Sequence, residues 1–180
     1  MFKITAPAAS SLAVIMVLAL CIFGCSNSTA PESAEPANRL IAASGCGGFS
    51  ETKRAEIGIA SVPTSDQTCL VWEYDQSASR LTVSHLNGAF NCCTQPNGAV
   101  NTGSSHLWII EFETGPVCRC LCLYDLQFEI HDISPQTYTL AIISDYTPTG
   151  DQPITTEIDL ESQLSGMICF DRTGYPWAEE

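Results

Sequence analysis

The chain has 180 residues, with 7 Lys+Arg against 20 Asp+Glu, a formal net charge of −13 and a mean hydropathy of +0.11. An acid excess of this size repels phosphate backbones and anionic lipid headgroups, which argues against nucleic acid as a partner. The sequence holds no Gly-x-Ser-x-Gly, no Gly-x-Gly-x-x-Gly and no Gly-rich phosphate loop, so neither a hydrolase nor a nucleotide enzyme has support from motifs.

Lys3 is the only charge before Glu32, and Leu12 to Phe23 form an unbroken apolar run of twelve residues. A bilayer-spanning helix needs roughly 20 apolar residues, so the run reads as the hydrophobic region of a signal peptide covering residues 1–24. Its end, Ile22-Phe23-Gly24-Cys25, resembles the lipobox of bacterial lipoproteins. The resemblance implies cleavage before Cys25, acylation of Cys25, and a membrane partner engaged through that lipid. It also implies a cell-envelope location, with Ser26 favouring the outer membrane in a Gram-negative host. Several acyl chains make a stable anchor where one is marginal. Cleavage removes one lysine and no acid, so the mature chain would be more acidic still. The positive mean hydropathy owes part of its value to the signal peptide and does not indicate a membrane domain.

Residues 26–44 are rich in Ser, Ala, Pro and Glu, and with Cys25 they are expected to form a flexible tether. Residues 45–180 then make one domain of ordinary size. Helical periodicity is hard to find there, whereas period-two segments bounded by turn residues recur. Glu56–Val62 is a first candidate strand. Leu70, Trp72 and Tyr74 alternate, and so do Leu81, Val83 and His85. Leu107–Glu113 is apolar on both faces as far as Ile110. Cys118, Cys120 and Cys122 continue in register with Tyr124, Leu126, Phe128 and Ile130, which places all three thiols on a core-facing strand. Thr137–Ser144, Thr155–Glu161 and Met167–Phe170 complete the set. About seven short strands without an internal repeat predict an all-β fold, an antiparallel β-sandwich stabilised by disulfides.

Outside the leader and Cys25, eight cysteines remain: Cys46, Cys69, Cys92, Cys93, Cys118, Cys120, Cys122 and Cys169. An even number in a secreted chain is read first as disulfides, with the pairing left open. Alternate residues of a regular strand lie roughly 6.5–7 Å apart, at or beyond the span of a disulfide. Cys118, Cys120 and Cys122 are therefore expected to bond to other segments and not to each other. Cys92 and Cys93 are their nearest candidate partners, and Cys69 and Cys169, beside the first and last strands, are further candidate partners that would tie the ends of the domain together.

The alternative is a soft-metal site. Cys92-Cys93 with Cys-x-Cys-x-Cys is similar to thiolate spacings in metallothionein-like segments, which implies copper(I) or zinc. That reading needs the chain to bend at Arg119 or Leu121. No Cys-x-x-Cys redox pair occurs.

His85, His106 and His131 lack metal-ligand spacing and read as core or surface residues. Asp145–Asp151 reads as a solvated turn, and Tyr175 and Trp177 as a C-terminal segment docked on the domain. The functional expectation is an envelope-anchored, non-enzymatic binding or structural module with no cofactor and no catalytic or metal residue assigned. A copper- or zinc-binding lipoprotein is the first alternative and a small extracytoplasmic hydrolase with paired carboxylates the second.

Overall fold

The computed structural model describes residues 38–59, 63–147 and 150–177. The expected signal peptide, the lipobox-like segment with Cys25, and residues 26–37 of the expected tether lie outside the described residues. Among the described residues nine strands form one sheet: β1 (Arg39–Ala43), β2 (Gln67–Asp75), β3 (Arg80–Asn91), β4 (Gln95–Thr102), β5 (His106–Thr114), β6 (Leu121–Ile130), β7 (Thr137–Ile143), β8 (Thr155–Asp159) and β9 (Ser165–Asp171). One short helix, α1 (Glu51–Glu56), starts at the N-cap Ser50, whose hydroxyl accepts the Lys53 N–H at 3.2 Å.

The fold is all-β and disulfide-bonded, but its architecture differs from the expected sandwich. The strand order is β8-β7-β5-β4-β1-β6-β3-β2-β9, and β5 runs parallel to β7 while every other pair is antiparallel. The sheet curls until its two edges approach. There the Arg172 Nη1 donates to the Gln152 carbonyl at 2.7 Å and the Thr173 hydroxyl donates to Asp151 at 2.8 Å. The result is a nearly closed, barrel-like mixed sheet of nine strands where seven antiparallel ones were expected. Curling lets one set of inward side chains serve the whole sheet. Leu70 and Trp72 of β2, Ile109 of β5, Phe128 of β6, Leu140 of β7 and Ile158 of β8 all belong to one buried cluster. Each fully buried side chain of this size contributes about 1.5–3 kcal/mol.

Three sequence expectations change with this architecture. Arg39–Ala43, assigned to the tether, is a strand hydrogen-bonded between β4 and β6, with Leu40 packed on the core. Glu56–Ile59 is not a strand: residues 51–56 are helical and Ile57–Ile59 turn back, with residues 60–62 outside the described set. The supposed cysteine strand starts only at Leu121. Cys118 and Cys120 precede it in a loop that bends at Arg119, and only Cys122 lies on the strand, packed against the core.

Two close approaches explain strand positions that carry no large side chain. A Cβ on Gly98 of β4 would lie 2.5 Å from the Phe128 ring, and one on Gly166 of β9 would run into the Trp72 ring. The missing side chains are the space those two aromatic rings occupy.

Candidate functional site

The eight cysteines of the described domain form four disulfides: Cys46–Cys122, Cys69–Cys169, Cys92–Cys120 and Cys93–Cys118. Cys69 and Cys169 are register partners on β2 and β9, and Cys69 is fully buried beside Leu86 and Ile59. The other six cysteines gather where β3 ends and β6 begins. The Cys122 and Cys92 sulfurs lie 2.9 Å apart and the Cys118 and Cys120 sulfurs 3.6 Å apart. Three disulfides therefore touch end to end. Cys46 and Cys93 are exposed and the four between them half-buried.

A hydrogen-bond frame holds this cluster. The Asn91 side-chain oxygen accepts the N–H groups of Cys93 at 3.1 Å and Cys118 at 3.0 Å, and its amide donates to the Cys118 carbonyl at 2.6 Å. Asn91 is itself held by Glu113, which accepts the Asn91 N–H at 2.8 Å and the Thr94 hydroxyl at 2.9 Å. The Tyr146 phenol donates to the other oxygen of Glu113. Burial pushes the Glu113 carboxyl up, but the bonds from Tyr146, Asn91 and Thr94 outweigh it and hold the group below its ordinary value. The hydrogen bond to Glu113, with burial beside it, pushes the Tyr146 phenol up to about 12.

Cys46 reaches the cluster because the segment before α1 is pinned to β6. Asp125, fully buried, accepts from the Phe49 N–H at 2.8 Å, the Asn87 N–H at 2.9 Å and the Arg54 guanidinium at 2.8 and 3.1 Å. Alternation places Asp125 on the outer face with Gln127 and Glu129, but α1 and its leading turn cover that face. Four donors then satisfy a carboxylate that burial alone would destabilise.

A second polar group bridges the barrel interior. His85 of β3 lies 2.7 Å from Glu111 of β5 through Nδ1 and 2.7 Å from the Thr68 hydroxyl through Nε2. The Thr68 O–H donates to the Leu86 carbonyl at 2.9 Å, so Nε2 is the donor to Thr68 and one proton lies between Nδ1 and Glu111. The order carboxylate, imidazole, hydroxyl is that of a nucleophile-activating chain. All three side chains are at most 3% exposed, so no reactant reaches the hydroxyl. The inward position of His85 was legible from alternation, whereas its partners Thr68 and Glu111 were not. His106 and His131 stand at strand ends, His131 pairing with Glu129 at 2.7 Å.

Among the described residues two open faces stand out. On the outside of β2 and β9 a concavity of about 570 Å³ is walled by Ile57, Val71, Leu164 and Met167, with Glu73 on its rim. Two adjoining hollows, of about 180 and 450 Å³, also share Glu73 and lead towards Arg80 and Thr82. On the outside of β5, Trp108, Ile110 and Phe112 stand in a row, flanked by Ile143 of β7, each 38–52% exposed. The His106 ring stacks beside Trp108 at 5.6 Å. The C-terminal segment is docked: the Trp177 indole N–H donates to the Asn87 carbonyl at 2.7 Å, and the Tyr175 phenol bonds the backbone of Leu121. Comparison of the chain with protein-family models, with curated proteins and with solved structures yields no match.

Proposed function

We propose that the chain is an extracytoplasmic binding module held at the bacterial cell envelope by lipid on Cys25, and that it acts through its open faces and not by catalysis. The observation that carries this reading is the complete pairing of the eight domain cysteines, since such cross-links form and persist outside the reducing cytoplasm. Of the chain's 10 cysteines this leaves only Cys21, inside the apolar run, and Cys25, at its lipobox-like end. The Glu73 hollows supply an acid at the rim of apolar walls, the kind of concave seat that takes a small ligand or an extended segment. The copper or zinc reading requires thiolates, and with this pairing it requires reduction first.

The experiment is expression of the wild-type chain and of Cys25→Ser in a bacterial host with metabolic fatty-acid labelling. Wild-type protein is expected in the membrane fraction, labelled, with Cys25 as its first residue. The variant is expected unlabelled, either released or retained as precursor. Wild-type protein that takes up no label and starts elsewhere overturns the anchor.

A further inference from the structure

Six sulfurs in one contact chain do more than cross-link. In order they run Cys46–Cys122, then 2.9 Å to Cys92–Cys120, then from Cys120 3.6 Å to Cys118–Cys93. Each disulfide thus has a sulfur of its neighbour at contact distance. The two terminal sulfurs belong to the exposed residues Cys46 and Cys93, and the four inner ones are half-buried. Cys46 sits in Gly45-Cys46-Gly47-Gly48, whose backbone is held by the Gly47 N–H to the Leu123 carbonyl at 2.8 Å, so the turn stays in place without its disulfide. Cys118 keeps its position through the Asn91 amide.

We propose that these six cysteines form a thiol–disulfide relay that accepts an electron pair from a dithiol and moves it between the two exposed ends, Cys93 and Cys46. A thiolate of the dithiol attacks the Cys93 sulfur and expels the Cys118 thiolate. Cys118 attacks Cys120, forming Cys118–Cys120 and breaking Cys92–Cys120. The freed Cys92 thiolate attacks Cys122, forming Cys92–Cys122 and expelling Cys46, which takes up a proton. The second thiol of the dithiol resolves the mixed disulfide at Cys93. One dithiol has become a disulfide, three protein disulfides have become two, and the thiols appear on Cys46 and Cys93. Entry at Cys46 runs the same steps in reverse order and gives the same product. Exchange of this kind needs a thiolate placed against the next disulfide sulfur, which is what the contacts supply. The bend at Arg119 makes the Cys118–Cys120 link accessible, where a regular strand would forbid it. The proposal does not depend on the lipid anchor.

The test is limited reduction of the oxidised protein with one equivalent of dithiothreitol, followed by acid quench, alkylation and peptide mapping without further reduction. The expected result is about one label each on Cys46 and Cys93, with Cys118–Cys120 and Cys92–Cys122 as new linkages. Labels on Cys93 and Cys118 with the other bonds unchanged overturn it, as does any pattern in which Cys46 and Cys93 are not labelled together. A double variant, Cys46→Ser with Cys122→Ser, shortens the chain by one step. Its labels are expected on Cys93 and Cys92, and a label that stays on Cys118 overturns the relay.

Discussion

Cys69–Cys169 and the six-cysteine cluster show two uses of one bond. Cys69 faces Cys169 across the hydrogen-bonded ladder of β2 and β9, and both lie in a small apolar cluster with Leu86 and Ile59. The clustered six lie in loops and at a strand start, with a polar frame of Asn91 and Glu113 and with exposed residues at both ends. Burial in register makes a disulfide a fixed staple. Contact between disulfides outside a ladder leaves sulfurs of neighbouring links 2.9 and 3.6 Å apart. What differs is the company each sulfur keeps, not the number of links.

The largest expected effect comes from removing the staple. Cys69→Ala with Cys169→Ala opens a link spanning 100 residues and takes two side chains from a packed cluster. The chain-entropy model puts a link of that span at roughly 4.7 kcal/mol, a large share of the about 5–15 kcal/mol that holds a domain. Urea unfolding should show a much lower midpoint; an unchanged midpoint would contradict the assigned role.

Removing the exposed end of the cluster should cost less. Cys93→Ser with Cys118→Ser opens a span of 25 residues that Cys92–Cys120 still closes from outside, so the loss stays well below the roughly 3.5 kcal/mol the same model gives an isolated link of that span. Both positions are at least half-exposed or hydrogen-bonded to Asn91, so little packing is lost beyond it. The comparison fails if this pair destabilises more than the buried one under the same urea titration.

The smallest effect tests the frame of the cluster. Tyr146→Phe removes the phenol that helps hold Glu113 ionised, so the Glu113 carboxyl should titrate higher, closer to its ordinary value. The sign follows from linkage. A carboxyl lowered in the folded state adds stability at pH values above its unfolded range and loses it as pH falls through the folded value. Tyr146, raised from 10.0 to about 12, adds stability below pH 10 and loses it as pH climbs towards 12. In the variant the acid-side loss should be smaller and finish at higher pH, and the part of the alkaline-side loss that Tyr146 contributes should disappear. Carboxyl carbon NMR of Glu113 against pH reads the first change, and melting curves from neutral to alkaline pH read the second.

Much of the strand content was legible because large apolar residues alternate. Leu70-Trp72-Tyr74, Tyr138-Leu140-Ile142 and Ile158 all point inward as the period-two pattern requires. The strands that escaped notice lack that signal. β4 reads Gln-Pro-Asn-Gly-Ala-Val-Asn-Thr, and its inward positions are Pro96, Gly98 and Val100, because the Phe128 ring already fills the space. β3 runs on past His85 only through a register shift before Gly88, with Asn87 at φ 57°, which breaks any simple alternation. The parallel placement of β5 beside β7 leaves no mark on either strand, since it depends on where β6 is inserted. At the cluster, the cysteines were visible and the bend at Arg119 was weighed only as an alternative. The Asn91, Glu113 and Tyr146 frame was not visible, because it joins residues distant in the chain. The same holds for Thr68 and Glu111 around His85.

β1 has a mechanical consequence that follows from its place in the strand order. Four strands, β8, β7, β5 and β4, lie to one side of it and four, β6, β3, β2 and β9, to the other, so this five-residue strand is the seam of the hydrogen-bonded sheet. It is also the first strand described in the chain. A pull on the polypeptide ahead of Asn38 loads that seam before it loads any other strand. Peeling can travel along β1 but meets Cys46, three residues beyond Ala43, whose covalent link to Cys122 returns the load to β6. The domain therefore carries its weak line and its arrestor within eight residues of each other, and tension that unzips the seam is handed to β6 by a covalent stop.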